Sequence, residues 1–157
     1  MRFVGRSVVV TGASSGMGRQ IALEFAAEGA NVVAVARRKE RLEELAQETQ
    51  TLEGKIVPYV GDISLEEVNE GMIDFAVKEF GKLDVLVNNA GIMDEFKPLG
   101  EVTDEHWTKI FNVNLNRPMY AMRKAVNVML TQENGGNIVN VASIGGVRGC
   151  RAGAAYT

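Results

Sequence analysis

The chain has 157 residues, 46% of them hydrophobic and 24% charged, which suits one domain with a buried core and is too short for two. Its formal charge of −3 and the lack of a basic stripe in the sequence give no reason to expect a nucleic-acid partner. The single cysteine, Cys150, cannot form an internal disulfide, and no apolar run approaches the length of a transmembrane helix. We therefore expect a single domain over residues 1–157, soluble and cytoplasmic, with no membrane partner.

Five short apolar runs, rich in β-branched residues, are predicted to be strands. They span residues 7–11, 31–35, 56–60, 83–87 and 137–142. Continuous apolar runs of this kind are typical of strands buried on both faces, as in a parallel sheet covered by helices.

Helical patterns lie between these runs, and several have recognisable ends. They are predicted over 18–28, over 38–50, from a capping box at Ser64 and Glu67 to Gly81, and from an N-cap at Thr103 to about Thr131. The alternation of strand and helix predicts right-handed crossovers and a Rossmann-like, doubly wound α/β fold with five parallel strands.

The first predicted strand runs into the sequence T-G-A-S-S-G-M-G, residues 11–18, in which a helix begins. Gly12 permits a tight turn, Gly16 lets the backbone approach a phosphate, and Gly18 lets the helix pack near the sheet. The helix N-terminus offers free N–H groups to an anionic diphosphate, and Ser14 and Ser15 add hydroxyl donors. Glycines also cluster in turns that bind nothing, but the preceding strand and the following helix favour nucleotide binding here.

In dinucleotide-binding folds, the residue at the end of the second strand helps to distinguish NAD from NADP. An acidic residue there accepts from the ribose 2′-OH and selects NAD, but in this chain the position is Ala36. Arg37 and Arg38 follow, so no carboxylate repels a 2′-phosphate and two guanidinium groups can hold one. NADP(H) is therefore expected in preference to NAD(H). Arg38 could instead be a solvated helix start, which leaves Arg37 as the stronger candidate.

Further motifs follow in order: N-N-A-G at residues 88–91, F-N-V-N-L around Asn114, Ser143 after I-V-N-V-A, and Tyr156 near the end. With the glycine turn, they resemble the short-chain dehydrogenase/reductase family over nearly the whole chain. The resemblance implies strand order 3-2-1-4-5, hydride transfer between NADP(H) and a small carbonyl or alcohol substrate, and homodimers or homotetramers. The predicted cofactor site comprises Gly12, Ser14, Ser15, Gly16, Met17, Gly18, Arg37, Arg38, Asp62, Ile63, Asn89, Ala90 and Gly91.

The same resemblance implies the catalytic roles. Tyr156 would exchange a proton with the substrate oxygen, Ser143 would orient that oxygen, and a water on the Asn114 carbonyl would belong to a proton relay. The residues themselves support the last role, because Pro118 lies four positions after Asn114 and has no N–H to donate to its carbonyl. We therefore predict a kink within one turn of Asn114.

Other residues have both a functional and a structural interpretation. Asp62 matches the family's adenine-binding carboxylate, with Ile63 on the ring, yet it could equally be a turn residue. Asn89 is implied near the adenosine ribose, whereas the amides of Asn88 and Asn89 could also tie strand ends together. His106 is expected in an exposed first helical turn without a role, and no cluster has metal-ligand spacing.

The family's lysine, implied four residues after Tyr156, would lie beyond Thr157. By resemblance it would favour the ionised phenol and bind the nicotinamide ribose, and two further strands and a lid would follow it. We therefore expect the chain to be the N-terminal portion of a longer single-domain enzyme, poorly active alone. Two alternatives stay open: a truncated, non-catalytic dinucleotide-binding module with a binding or regulatory role, and a second chain that completes the sheet.

Overall fold

The computed structural model describes residues 1–149 and 151–156, so what we expect of Cys150 and Thr157 lies outside the described residues. Its strands are β1 (Ser7–Thr11), β2 (Asn31–Ala36), β3 (Lys55–Val60), β4 (Val85–Asn88) and β5 (Asn137–Asn140). They form one parallel sheet in the order β3-β2-β1-β4-β5. The predicted doubly wound sheet and its strand order are therefore confirmed.

Five α-helices connect or follow the strands. They are α1 (Gly16–Ala27), α2 (Lys39–Glu48), α3 (Glu66–Phe80), α4 (Asp104–Phe111) and α5 (Arg117–Met129). The predicted N-cap of α4 is confirmed, because Thr103 Oγ1 accepts from the His106 N–H at 3.2 Å. Within the described part of the chain, no helix is long and apolar enough to cross a membrane.

Helices cover both faces of the sheet and create two apolar cores. Val8 and Val10 of β1 pack on the side of α1 and α2, while Val9 packs on the side of α3 and α5. This alternation follows from the two-residue period of a strand. All of β1 is buried, because it has a strand on each side and helices above and below.

The two outer strands differ from the prediction of burial on both faces. Val60 at the end of β3 is 50% exposed, and Val139 in β5 is 48% exposed. Each strand is paired on one side only within the described sheet, so fewer neighbours cover its side chains.

The capping box predicted at the start of α3 is wrong. The helix begins at Glu66 with Leu65 at the N-cap position, and no described side chain caps it. The Ser64 N–H donates instead to Asp62 Oδ1 at 2.9 Å, forming a turn before the helix. A capping box at Ser64 would start the helix at Leu65. Because the Ser64 N–H is used in the turn with Asp62, the helix begins one residue later, at Glu66.

The predicted continuous helix to about Thr131 is interrupted close to Asn114. A π-helical turn, Asn112–Asn116, separates α4 from α5, and the Arg117 N–H donates to the carbonyl of Asn112, five residues earlier. Pro118 lies in the first turn of α5, where its missing N–H is tolerated. The π-helical turn shows that the helix is irregular beside Asn114, while the kink itself stays a prediction.

Candidate functional site

The glycine turn between β1 and α1 is pressed against the loop that follows β4. Gly12 has φ +71°, and a Cβ there would lie 2.9 Å from Asn89 Nδ2 and 3.0 Å from Ala90 Cα. A Cβ on Gly18 would collide with the Gly12 carbonyl. Only glycine fits at these two positions, and the turn is therefore held close to the ends of both strands.

Thr11, at the end of β1, holds the N-N-A-G loop in place. Its Oγ1 accepts from the backbone N–H groups of Asn89 and Ala90, each at 3.0 Å, and Asn89 Nδ2 donates to the Thr11 carbonyl at 2.9 Å. Asn88 Nδ2 donates to Asn140 Oδ1 of β5 at 2.9 Å. The two asparagine amides thus tie neighbouring strand ends together, as their structural interpretation predicts. Thr11 was missed as a site residue, although a hydroxyl at the end of a buried strand indicates a polar contact there.

A cleft of about 460 Å³ lies at the carboxyl ends of the strands, beside the glycine turn. Most of the predicted cofactor residues line it: Gly12, Ser14, Ser15, Arg37, Arg38, Asp62, Ile63, Asn89, Ala90 and Gly91. Gly16 and Gly18 belong to the start of α1 beside the cleft, while Met17 lines a second cavity. Lys109 and Val113 also line the cleft and were missed, because no local motif marks them.

The two arginines after β2 occupy different positions. Arg38 Nη2 donates to Ser14 Oγ at 2.9 Å and to Ser15 Oγ at 2.8 Å, which places its guanidinium against the glycine turn. Arg37 has a 75% exposed side chain, 3.9 Å from Asp62 Oδ2. Arg38, which our sequence analysis ranked second, is therefore the arginine that contacts the predicted phosphate site. The Asx-type turn at Asp62 agrees with its structural interpretation.

The second cavity, of about 660 Å³, brings the three predicted catalytic residues together. Asn114, Ser143 and Tyr156 all line it. The cavity shares residues 89–92 with the cleft, so the two spaces adjoin. Apolar side chains line much of the rest, including Met93, Trp107, Ile110, Phe111, Leu115 and Val141.

Local hydrogen bonds fix the three residues in different ways. The Asn114 amide accepts from the Ile92 N–H and donates to the Ile92 carbonyl, both at 2.9 Å, which holds the loop after β4. Ser143 Oγ accepts from the Gly145 N–H at 3.1 Å and caps a short 3₁₀ turn, Ile144–Gly146. The Tyr156 N–H donates to the Gly153 carbonyl at 2.9 Å, so Tyr156 belongs to a tight turn.

A buried carboxylate beside the cavity was missed, and the expectation of an exposed His106 is wrong. His106 has a 12% exposed side chain, and its Nε2 lies 3.0 Å from Oδ1 of the fully buried Asp94. Burial opposes ionisation of Asp94, yet His106 and the backbone N–H groups of Phe96 and Ala155 hold its pKa below the ordinary value. These partners lie far apart in sequence, so no local pattern indicated the cluster. Among the described residues, no group of three His, Cys, Asp or Glu side chains could hold a metal ion.

Comparisons with known proteins identify similar chains. The chain is 41% identical over 153 residues to a 3beta-hydroxysteroid dehydrogenase 2 of Eggerthella lenta, covering 98% of this chain and 59% of that protein. It is 39% identical over 149 residues to a 3-oxoacyl-acyl-carrier-protein reductase of Thermotoga maritima, covering 95% of this chain and 60% of that protein. The chain thus spans about three fifths of the length of these relatives.

Solved structures share the fold. An NAD⁺-bound xylitol dehydrogenase has TM-score 0.91 and 32% identity, with 99% of this chain and 60% of that chain covered. A metagenomic short-chain oxidoreductase in complex with NADP has TM-score 0.92 and 32% identity, with 99% and 70% covered. The short chain dehydrogenase family model matches residues 6–157. The chain therefore belongs to the short-chain dehydrogenase/reductase family of oxidoreductases.

Proposed function

We propose that the full-length protein transfers a hydride between NADP(H) and a carbonyl/alcohol pair. The observation that carries this proposal is the shared cavity of Asn114, Ser143 and Tyr156 next to the cleft beside the glycine turn. Ligands of open α/β sheets bind at the carboxyl ends of the strands, where both spaces lie. When bound, the nicotinamide supplies or accepts the hydride.

The side chains handle the substrate oxygen and its proton. The Tyr156 phenol donates a proton to that oxygen during reduction and removes it during oxidation. Ser143 Oγ already accepts from the Gly145 N–H, which leaves its own O–H free to donate to the same oxygen. In this proposal the backbone carbonyl of Asn114 binds a water that belongs to a proton relay to Tyr156.

Several features support NADP(H) over NAD(H). Ala36 supplies no carboxylate at the end of β2, so a 2′-phosphate meets no repulsion there. Arg38 lies against Ser14 and Ser15, and these groups offer a guanidinium and two hydroxyls to the phosphate. The first turn of α1 contains no acidic residue, so its N-terminus favours the diphosphate that both cofactors share. Asp62 and Ile63 line the same cleft, and we assign them to the adenine.

Replacement of Tyr156 tests the catalytic assignment. In the full-length protein, Tyr156→Phe should lower kcat for ketone reduction by about 100-fold or more, because the proton donor is lost. The Kd for NADPH, measured by fluorescence titration, should stay within about twofold because the ring remains. Tyr120→Phe is the matched control: the described contacts of Tyr120 are made by its ring, to Arg117 and Arg123. NADPH binding without turnover in the wild type would instead favour a non-catalytic dinucleotide-binding module.

Replacement of Arg38 tests the cofactor preference. Arg38→Ala should raise the Kd for NADPH about tenfold and leave the Kd for NADH nearly unchanged, because one charge-assisted contact to the 2′-phosphate is lost. Arg41→Ala removes an equal charge from α2, which begins directly after Arg38. Arg41 pairs with Glu44 there, so this variant should change neither Kd. If Arg38→Ala raised the Kd for NADPH and the Kd for NADH equally, Arg38 would not select NADP(H).

A further inference from the structure

The Asp94 carboxylate is the centre of a polar cluster beside the cavity, and three parts of the chain meet there. Asp94 belongs to the loop after β4, His106 to the first turn of α4, and Ala155 to the turn that precedes Tyr156. Asp94 Oδ1 lies 3.0 Å from His106 Nε2 and accepts from the Phe96 N–H at 3.1 Å. Asp94 Oδ2 accepts from the Ala155 N–H at 3.2 Å.

The His106 ring faces the Asp94 carboxylate at hydrogen-bond distance. An ionised carboxylate only accepts hydrogen bonds, so His106 Nε2 carries the proton that it donates to Asp94. The N-cap Thr103 fixes the His106 backbone through its N–H. The Asp94 side chain is fully buried, so its carboxylate has lost its hydrogen bonds to water. Its three protein donors take the place of those bonds.

The turn containing Tyr156 rests on the loop from Asp94 to Lys97 through further contacts. The Gly153 N–H donates to the Lys97 carbonyl at 3.4 Å. Gly153 has φ +87°, and a Cβ there would lie in tight contact with the Phe96 ring, at 3.0 Å. Phe96 itself has φ 55°, a conformation that L side chains rarely adopt. Its N–H bond to Asp94 helps to hold this strained backbone, and strain of this kind persists only where the surroundings determine it strongly.

We propose that Asp94 and His106 are positioning residues that fix the Tyr156 turn against the loop after β4. Neither residue touches the reacting atoms in this assignment. Their effect on the reaction passes through the Ala155 amide, one residue before the tyrosine. The inference rests on the proposed function, in which Tyr156 transfers the proton. A displacement of the phenol by about 1 Å is enough to slow a reaction about 100-fold.

Replacement of the carboxylate tests the proposal in the full-length protein. Asp94→Ala removes the acceptor of the Ala155 N–H, and kcat should fall by about 10- to 100-fold while the Kd for NADPH stays within about twofold. Asp94→Asn keeps one acceptor oxygen and should recover part of the lost kcat. Hydrogen exchange should become faster at the amides of residues 153–156 and stay unchanged in β1 and β2.

Glu95 provides the matched control. It follows Asp94 directly and also faces His106, at 3.6 Å from Nδ1, but its carboxylate is 55% exposed and pairs with Lys97. Glu95→Ala should leave kcat and exchange in 153–156 unchanged. An unchanged kcat in Asp94→Ala would overturn the proposal, and so would a loss of NADPH binding in parallel with kcat. Absence of turnover in the wild type would count against the proposed function itself.

His106 supplies a second test that does not remove the buried carboxylate. His106→Ala removes the side-chain donor and should lower kcat by about tenfold, whereas His106→Gln retains an N–H donor and should restore most of it. Faster exchange at residues 153–156 should accompany the first variant and not the second. Equal kcat values for the two variants would overturn the positioning role, even if Asp94→Ala does not fold.

Discussion

At the scale of single residues, Thr11 shows how one buried hydroxyl can organise a binding loop. Its Oγ1 accepts from two successive backbone N–H groups, those of Asn89 and Ala90, directly beside Gly12. Thr11 is 4% exposed, so water cannot easily replace the hydroxyl. The Thr11 hydroxyl, and not only the glycines of the turn, therefore fixes this end of the cleft.

Replacement of Thr11 should measure this contribution. Thr11→Val keeps the shape but leaves the two N–H groups without their acceptor, so the free energy of unfolding should fall by about 1–3 kcal/mol in urea titration. Thr11→Ser retains the oxygen, so its free energy of unfolding should fall markedly less than that of Thr11→Val. Equal losses in the two variants would mean that the methyl group, and not the hydroxyl, accounts for the stability.

The glycine turn was predictable because its motif lies within a few residues, whereas the catalytic candidates came from the family resemblance and stay predictions. The sequence could not rank Arg38 above Arg37, since the decisive partners, Ser14 and Ser15, lie more than twenty residues earlier in the chain. The contact between Asp94 and Ala155 was equally inaccessible, because 61 positions separate the two residues. Tertiary hydrogen bonds of this kind leave no periodic pattern.

At the scale of secondary-structure elements, Asp84 joins β1 to the start of β4. Its carboxylate accepts from Arg6 Nη1 at 2.6 Å and from the Ser7 N–H at 2.8 Å, and Lys82 Nζ lies 3.1 Å away. Burial raises the pKa of Asp84, but the hydrogen bonds from Ser7, Arg6 and Lys82 outweigh burial and hold it below its ordinary value of 3.8.

This lowered pKa predicts how stability depends on pH. The folded state binds the Asp84 proton less tightly than the unfolded state, so the stabilisation is complete well above pH 3.8 and is lost as pH falls through the lower folded pKa. Asp84→Asn should therefore reduce the free energy of unfolding by about 1–3 kcal/mol at pH 7. Its difference from the wild type should shrink below about pH 4, measured by urea unfolding across pH.

An exposed carboxylate gives the comparison for this pH series. Glu53 is exposed in the turn before β3, so Glu53→Gln should lower the free energy of unfolding at pH 7 far less than Asp84→Asn. A difference between Asp84→Asn and the wild type that stays constant down to pH 2 would show that charge on Asp84 does not stabilise the fold.

Element boundaries were predictable where a side chain or a special backbone residue defines them. Thr103 caps α4 as expected, and Pro118 indicated that the helix would be irregular near Asn114. The π-helical form of that irregularity was not predictable, because it depends on which carbonyl the Arg117 N–H reaches. The start of α3 was misplaced, because Ser64 suited a capping box and Asp62 competed for its backbone.

At the scale of the whole molecule, alternating apolar strands and amphipathic helices were enough to predict a doubly wound sheet. The β-branched runs identified all five strands, and the right-handed crossover restricted how they could be arranged. The composition of the runs did not indicate the exposure of β3 and β5, because an edge strand and a central strand can have similar composition, but the predicted order 3-2-1-4-5 places both at the edges of the five strands.

The parallel arrangement of the sheet also has a consequence for biosynthesis. The central strand β1 is made first, but one of its neighbours is β4, which follows three helices and two strands in the chain. At a translation rate of about 5–20 residues per second, one edge of β1 stays unpaired for several seconds. Such an edge can pair with other chains. We therefore expect this edge to be open to pairing with other chains until Val85–Asn88 leaves the ribosome and completes the centre of the sheet.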